Sequence, residues 1–169
     1  IKVLDIPFTR FRDKGTPIDN LSNYNSSEEN LVYIAPMADI RQKKLLFGTK
    51  TAMLKLVSGA EFDVAKRTTA ATKLNEGDMV LFVHPVAESD HIVMQSAKDM
   101  FLRIEAGTIP EKKKGAVGVR GMRLASGDQL EAIYLLREED EPVSVRIKDK
   151  EVVLNRLHVA NRDTKGVKR

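Results

Sequence analysis

Thr69-Ala-Ala-Thr-Lys-Leu-Asn-Glu-Gly-Asp78 and Val119-Arg-Gly-Met-Arg-Leu-Ala-Ser-Gly-Asp128 are two copies of one pattern. Leu74 matches Leu124, Gly77 matches Gly127 and Asp78 matches Asp128, each at an offset of 50 residues. Self-similarity at a period of roughly 20–50 residues marks a repeat architecture. An earlier copy begins at Gly15 (Gly-Thr-Pro-Ile-Asp-Asn-Leu21) and a later one at Gly166. The anchors Gly15, Thr68, Gly118 and Gly166 are thus 53, 50 and 48 residues apart. In the Gly-Asp pairs, glycine supplies a turn conformation and aspartate bonds the turn backbone. Their role is read as structural rather than chemical.

Working outward, the rest of each unit repeats too. Leu31–Ala35, Leu45–Thr49, Met53–Val57, Val80–His84, Ile92–Gln95, Phe101–Ile104, Leu130–Leu136, Val143–Ile147 and Val152–Leu157 are short, rich in Val, Ile, Leu and Phe, and separated by polar or glycine-containing stretches. These are strand signals. Only Ala97–Arg103 approaches a helical pattern, and it is short. Hairpin turns are expected near Lys50-Thr51, Lys98-Asp99 and Asp149-Lys150. Each is followed by an apolar strand holding one basic residue: Lys55, Arg103 and Arg156. Units of about four strands and this length predict an all-β, propeller-like array of blades that must stack to bury their faces. The 169 residues fit a single domain, with approximate units 15–67, 68–117 and 118–165 and partial blades at both ends. A first residue of Ile1 rather than Met reads as a piece of a longer or processed chain, here a fragment of three to four blades.

Charge is sorted within the repeat. Lys and Arg number 28 against 24 Asp and Glu, a modest net +4, so any nucleic-acid case rests on placement. Basic boxes close the units: Arg10, Arg12 and Lys14; Lys66, Arg67 and Lys73; Lys112-Lys-Lys-Gly-Ala-Val-Gly-Val-Arg-Gly-Met-Arg123; and Arg162, Lys165, Lys168 and Arg169. Acid gathers in the loops at the other pole: Asp39, Glu88 and Asp90, and Glu138-Glu-Asp-Glu141. One Lys/Arg cluster alone is most often a solvated turn. Recurrence in four units points instead to an anion-binding rim for duplex DNA, whose phosphates lie one charge per about 1.7 Å of axis. Box glycines (Gly15, Gly115, Gly118, Gly121, Gly166) permit tight turns and close approach of backbone amides to phosphate.

Other functions find little support. The absence of cysteine excludes disulfides, thiolate metal sites and cysteine nucleophiles, and fits a reducing compartment. No apolar run approaches the roughly 20 residues of a membrane helix. His84, His91 and His158 show no metal-ligand spacing, and no nucleophile elbow or phosphate loop is present. Neither cofactor nor metal is expected, and the chain itself carries no catalytic constellation. Phe8, Phe47, Phe62, Phe82 and Phe101 lie in apolar runs and read as core rather than base-stacking residues. Tyr33 and Tyr134 read as sheet residues, Tyr24 as a loop residue.

Lys113-Lys-Gly-Ala-Val-Gly-Val-Arg-Gly-Met-Arg-Leu-Ala-Ser-Gly-Asp128 resembles a blade junction of the C-terminal domain of the DNA gyrase A protein and of its paralogue in topoisomerase IV. Lys14-Gly-Thr-Pro-Ile-Asp-Asn-Leu21, Lys44-Leu-Leu-Phe-Gly-Thr-Lys50 and Arg162-Asp-Thr-Lys-Gly-Val167 resemble further stations of that domain, in the same order. The resemblance spans about Ile1 to Val167. It implies a β-pinwheel, in which neighbouring blades exchange strands, with an outer rim that binds and bends duplex DNA without reading sequence. It implies two partners, the remainder of the gyrase A protein and the ATPase B protein, in an A2B2 holoenzyme. That holoenzyme is an ATP-dependent DNA topoisomerase of the bacterial cytoplasm and nucleoid. The DNA-binding role carries over to Arg12, Lys14, Lys66, Arg67, Lys112, Lys113, Lys114, Arg120, Arg123, Arg162 and Lys165, with Lys55, Arg103 and Arg156 as second-choice rim residues. The sequence departs from the family in two places. The glutamine- and glycine-rich box that marks gyrase is not present, and its place in the family lies upstream of Ile1. The second box, Val64-Ala-Lys-Arg-Thr-Thr-Ala-Ala71, lacks glycine. The alternative reading is a propeller-like protein-interaction scaffold that binds no DNA.

Overall fold

The computed structural model describes residues 1–66 and 68–169. Three hairpins organise it: β1 (Lys44–Thr49) with β2 (Met53–Ser58), β4 (His91–Ser96) with β5 (Met100–Glu105), and β8 (Ser144–Ile147) with β9 (Lys150–Val153). Each tight turn holds one residue of positive φ: Ala52 at 61°, Asp99 at 59° and Lys148 at 53°. That conformation lets a short loop match the twist of its strands. Behind each hairpin the chain makes one 3-10 turn: Gly59–Phe62, Ala106–Thr108 and Leu154–Arg156.

The remaining strands are β3 (Val80–Val86), β6 (Val119–Arg120), β7 (Leu130–Leu136) and β10 (Val167–Lys168). They complete two antiparallel four-stranded sheets, β3-β1-β2-β6 and β7-β4-β5-β10. β6 reaches β2 only after the β4–β5 hairpin has formed, with Leu54 opposite Val119. β10 joins β5 only after β8–β9, with Phe101 opposite Val167. Each sheet is therefore closed by a strand lent from beyond the next hairpin. This is the strand exchange of a β-pinwheel, with two complete blades and a third represented by β8–β9.

Burial explains the unbroken apolar runs. Side chains alternate faces along a strand. Leu46, Leu54 and Leu56 of one blade share a core with Ile92, Met94, Leu102 and Ile104 of the next. The alternate residues Leu45, Phe47 and Val57 pack with Ile40 and Phe62. Val93 and Phe101 pack with Leu154, Leu157 and the third hairpin's Val145 and Val152. Both central hairpins are thus covered on both faces, so they lack the polar alternation of a half-exposed sheet.

Four sequence expectations change. Leu31–Ala35 forms no strand; it has no ladder partner among the described residues, and Leu31 and Ile34 are exposed. Val152–Leu157 breaks after Val153 into the 3-10 turn, so Arg156 stands on a turn rather than in a strand. Tyr33, expected in a sheet, lies on the unpaired Leu31–Ala35 segment; Ala97–Arg103 forms the expected hairpin turn and strand β5, and single helical turns occur at Ile18–Leu21 and Met37–Ile40, each following a proline. Phe8 is fully exposed rather than packed in the core; Phe47 and Phe101 are buried.

The Gly-Asp pairs tie a sheet together. Gly77 and Gly127 have φ of 71° and 66°. Asp78 accepts hydrogen bonds from the Thr51 amide (3.0 Å), the Thr51 hydroxyl (2.6 Å) and the Met79 amide (2.9 Å). Asp128 does the same for the Ser96 hydroxyl (2.7 Å) and the Gln129 amide (2.9 Å). Each carboxylate fastens the incoming third strand to the hairpin of its own blade. Desolvation raises the Asp78 carboxyl, but hydrogen bonds from Thr49, Thr51 and Met79 outweigh it and hold it below its ordinary 3.8. A depressed carboxyl contributes stability that is complete above its unfolded pKa, and that stability is lost as pH falls through the folded value. Asp78→Ala is expected to lower unfolding free energy by about 1–2 kcal/mol at neutral pH. A guanidinium titration measures this, and the difference from wild type should shrink below about pH 4.

Candidate nucleic-acid interface

The third and fourth basic boxes run along sheet edges. After Ala106–Thr108 the chain returns to the open edge of β2. The Leu56 amide donates to the Pro110 carbonyl (3.1 Å) and the Lys112 amide to the Leu56 carbonyl (2.8 Å). Residues 113–118 then leave the edge and come back to it at Val119 and Arg120. The next blade repeats this. The Ala160 amide donates to the Arg103 carbonyl (2.9 Å), and the chain rejoins β5 at Val167 and Lys168. A Cβ on Gly118 would meet the Leu54 carbonyl oxygen at 2.6 Å, and one on Gly166 would press equally on Phe101. These two glycines permit contact with the neighbouring strand rather than with phosphate. Gly115, on the excursion, faces open space.

Successive boxes touch. Lys114 Nζ donates to Thr69 Oγ1 beside the second box (3.1 Å). Arg120 and Arg123 of the third box both lie 3.5 Å from the Asp163 carboxylate of the fourth. Arg162 donates to the Arg120 carbonyl (2.8 Å). The second, third and fourth boxes are therefore tied to one another through Thr69, Asp163 and the Arg120 carbonyl. Lys113, Arg120, Arg123, Arg156 and Lys165 are exposed, and Lys112, Lys114 and Arg162 are half-buried. Arg12, Lys14 and Lys66 are exposed on segments without strands. Arg67 lies outside the described residues.

Lys55 and Arg103 do not reach the rim. Lys55 is 2% exposed. Its ammonium donates to the carbonyls of Lys113 (3.3 Å), Lys114 (2.8 Å) and Ala116 (2.7 Å) and sits 5.7 Å from the centre of the Phe47 ring. Desolvation pushes it below the ordinary lysine value; Glu61 opposes this and Lys112 adds to it. Arg103 donates to the carbonyls of Asn155 and Leu157.

Two acids in contact with the boxes carry no signal in the sequence. Asp163 sits inside the fourth box, where a count of basic residues passes over it. Glu61 lies in a 3-10 turn with no local signature. It accepts from the Lys114 amide (2.9 Å) and lies 3.5 Å from Lys113 Nζ. The Lys114 amide first, then the nearby lysines, hold its carboxyl below the usual range despite some desolvation. Glu111 also stands on this edge, bridged to Leu56, and lies 3.4 Å from Lys44 Nζ. Glu88 and Glu138–Glu141 occupy the β3–β4 and β7–β8 connections, and Glu88 pairs with Lys44 at 3.0 Å. Asp90 is buried and caps its own turn through the Ala87 amide (2.9 Å). Among the described residues no group of histidines and carboxylates is placed to hold a metal ion, and no helix is long and apolar enough to cross a membrane.

Similarity to known proteins follows the same repeat. A family model described as "DNA gyrase C-terminal domain, beta-propeller" matches residues 43–87 and again residues 90–137, one match for each complete blade's hairpin and third strand. The DNA gyrase A protein of Lawsonia intracellularis (strain PHE/MN1-00) is 27% identical over 177 aligned residues, covering 99% of this chain and 21% of that protein. The DNA gyrase A protein of Escherichia coli (strain K12) is 25% identical over 139 residues, covering 81% of this chain and 16% of that protein. The crystal structure of the C-terminal domain of DNA topoisomerase IV superposes with a TM-score of 0.87 at 23% identity, covering 98% of this chain and 53% of that one. A structure of the DNA gyrase A C-terminal domain gives 0.73 at 20% identity, covering 93% and 53%. Both structural likenesses carry the fold. The chain spans about a fifth of the length of these gyrase relatives.

Proposed function

Since the chain belongs to the DNA gyrase C-terminal domain family, we propose that it binds duplex DNA along its basic blade edges and bends the duplex around them, without reading sequence. The observation that carries this is the contact linking the second, third and fourth boxes, the last two of which run along equivalent sheet edges. A bent duplex presents phosphates at regular intervals, and the blade repeat presents cations at regular intervals. Bending 20–30 base pairs by 40–90° costs on the order of 1–6 kcal/mol. Counterions released by several phosphate contacts offset that cost. The exposed and half-exposed members Arg12, Lys14, Lys66, Lys112, Lys113, Lys114, Arg120, Arg123, Arg156, Arg162 and Lys165 are the proposed phosphate ligands, each contact being sequence-independent.

We further propose that the approximate units 15–67, 68–117 and 118–165 act as one DNA-binding domain. Within the A protein of a bacterial type IIA topoisomerase, this domain presents DNA to catalytic regions elsewhere, together with an ATPase B protein, in the cytoplasm. The binding reading is tested by a salt titration of the full-length protein on a duplex of about 40 base pairs. With six or more phosphate contacts, affinity should fall by about 10³-fold or more between 50 and 200 mM salt. An affinity that hardly changes over that range contradicts it and favours a protein-interaction scaffold.

A further inference from the structure

The loop 113–118 is built around a cation. It leaves the β2 edge after Lys112, returns at Val119, and Lys55 lies between its two attachments on β2. The ammonium collects three carbonyls of the excursion. A peptide unit is planar and trans, and no cis bond occurs here, so the amide N–H beyond each collected carbonyl points the opposite way. Those amides belong to Lys114, Gly115 and Val117. The first already demonstrates the outward direction: its N–H is held by a carboxylate oxygen, Glu61 Oε2, at 2.9 Å. The amides of Gly115 and Val117 have no partner among the described residues. With its carbonyls drawn to a cation inside, the loop leaves these two amide donors turned outward, where an anion can accept from them.

We infer that Lys55 is a positioning residue for phosphate binding: its buried ammonium holds the third basic box in the shape that presents the Gly115 and Val117 amides, with the side chains of Lys112–Lys114, to the DNA backbone. This rests on the DNA reading proposed above. The following blade has a related strut. Arg103 also binds carbonyls of the segment that runs along its own strand, yet from the opposite face. Arg103 forms an isolated bridge with Val159 where Leu56 forms one with Glu111, so Leu56, not Lys55, is its counterpart. Its Nε remains without a partner among the described residues. Lys55 is the better satisfied of the two and the one beneath the box with most positive charge.

The test uses the full-length protein with Lys55→Met, Lys55→Arg, the triple change Lys112→Ala/Lys113→Ala/Lys114→Ala, and Lys55→Met combined with the triple. Hydrogen–deuterium exchange without DNA reads the loop; a salt series on a duplex of about 160 base pairs reads binding. In Lys55→Met, exchange at the two hydrogen-bonded amides of the loop, Lys114 and Ala116, is expected to accelerate about 10-fold while β1 and β4 stay protected. Affinity should fall about 10-fold near 0.1 M salt, with a flatter salt slope. Lys55→Arg should recover part of both effects, and Lys55→Met in the triple background should cost less than the about 10-fold it costs alone, because only the amide contacts remain to be lost. Unchanged exchange and affinity in Lys55→Met, or a loss that adds in full to the triple's, overturns the inference. If Lys55→Met does not fold, Lys55→Gln replaces it, and unchanged exchange at the Lys114 and Ala116 amides there also overturns the role. If even the parent protein fails to bind the duplex, the DNA reading falls, and the exchange result still decides whether Lys55 shapes the loop.

Discussion

Replacing Lys112, Lys113 and Lys114 together with alanine is expected to weaken duplex binding on the order of 10²-fold near 0.1 M salt and to flatten the salt slope by up to about 3. Each phosphate contact on duplex DNA contributes about 0.9 to that slope, because neutralising a phosphate releases condensed counterions. Lys113 is the most exposed of the three and its pairing with Glu61, at 3.5 Å across a partly solvated gap, holds it weakly. Lys114 loses an additional tie, its bond to Thr69, so the variant also loosens the second box from the third. The fold should survive, since none of the three side chains lies in a core cluster. Circular dichroism checks the fold and a fluorescence-anisotropy salt series checks the binding. A triple variant with the parent's affinity and slope would show that this box is not a phosphate rim.

Gly118→Ala should strongly destabilise the scaffold at the third box. An added Cβ meets the Leu54 carbonyl oxygen at 2.6 Å, its carbon at 2.9 Å and its nitrogen at 3.1 Å. All three atoms are backbone of β2, which is buried on both faces, so neither partner yields cheaply. The exchanged strand must lift from the edge or the hairpin must shift, and a loss of about 3 kcal/mol is expected. DNA affinity should fall with it, since the third box loses its attachment. Gly115→Ala is the control: nothing lies within 4 Å of the added carbon, and stability should change by less than about 0.5 kcal/mol. Thermal unfolding of the two variants side by side measures the difference. Equal melting temperatures would mean that the exchanged strand is not held as described.

Much of this architecture is legible in the sequence, for identifiable reasons. The Leu-x-x-Gly-Asp copies can be aligned because positive φ and a backbone-bonding carboxylate are local demands, met by the same residues in each blade. Hairpin turns announce themselves in the same way. The exchanged strands β6 and β10 do not: each is two residues long and exists only because Leu54 or Phe101, more than 60 residues earlier, offers a free edge. Lys55 and Arg103 read as rim residues because a charge within a strand usually marks a solvated face. A strand buried on both sides has no such face, so the charge has to be satisfied inside. The unbroken run Leu54-Lys-Leu-Val57 carries that signal. Nor are the two equivalent positions, as their place after each hairpin suggests; they lie one register step apart, which moves a side chain to the opposite face. The acids beside the boxes are hidden because contact between boxes is a property of blade stacking, not of spacing along the chain.

Whether successive boxes form one track that bends DNA is read most directly by energy transfer between two dyes. The dyes sit about 30 base pairs apart, the scale over which a smooth bend is affordable, on a longer duplex bound by the full-length protein. The same measurement is made on the variant with Lys112, Lys113, Lys114, Arg120, Arg123 and Arg162 replaced by alanine. Transfer should rise on binding of the parent and fall back toward the free-duplex value in the variant at matched occupancy. Equal transfer from parent and variant, or no rise in either while the DNA is bound, would contradict a track that bends DNA.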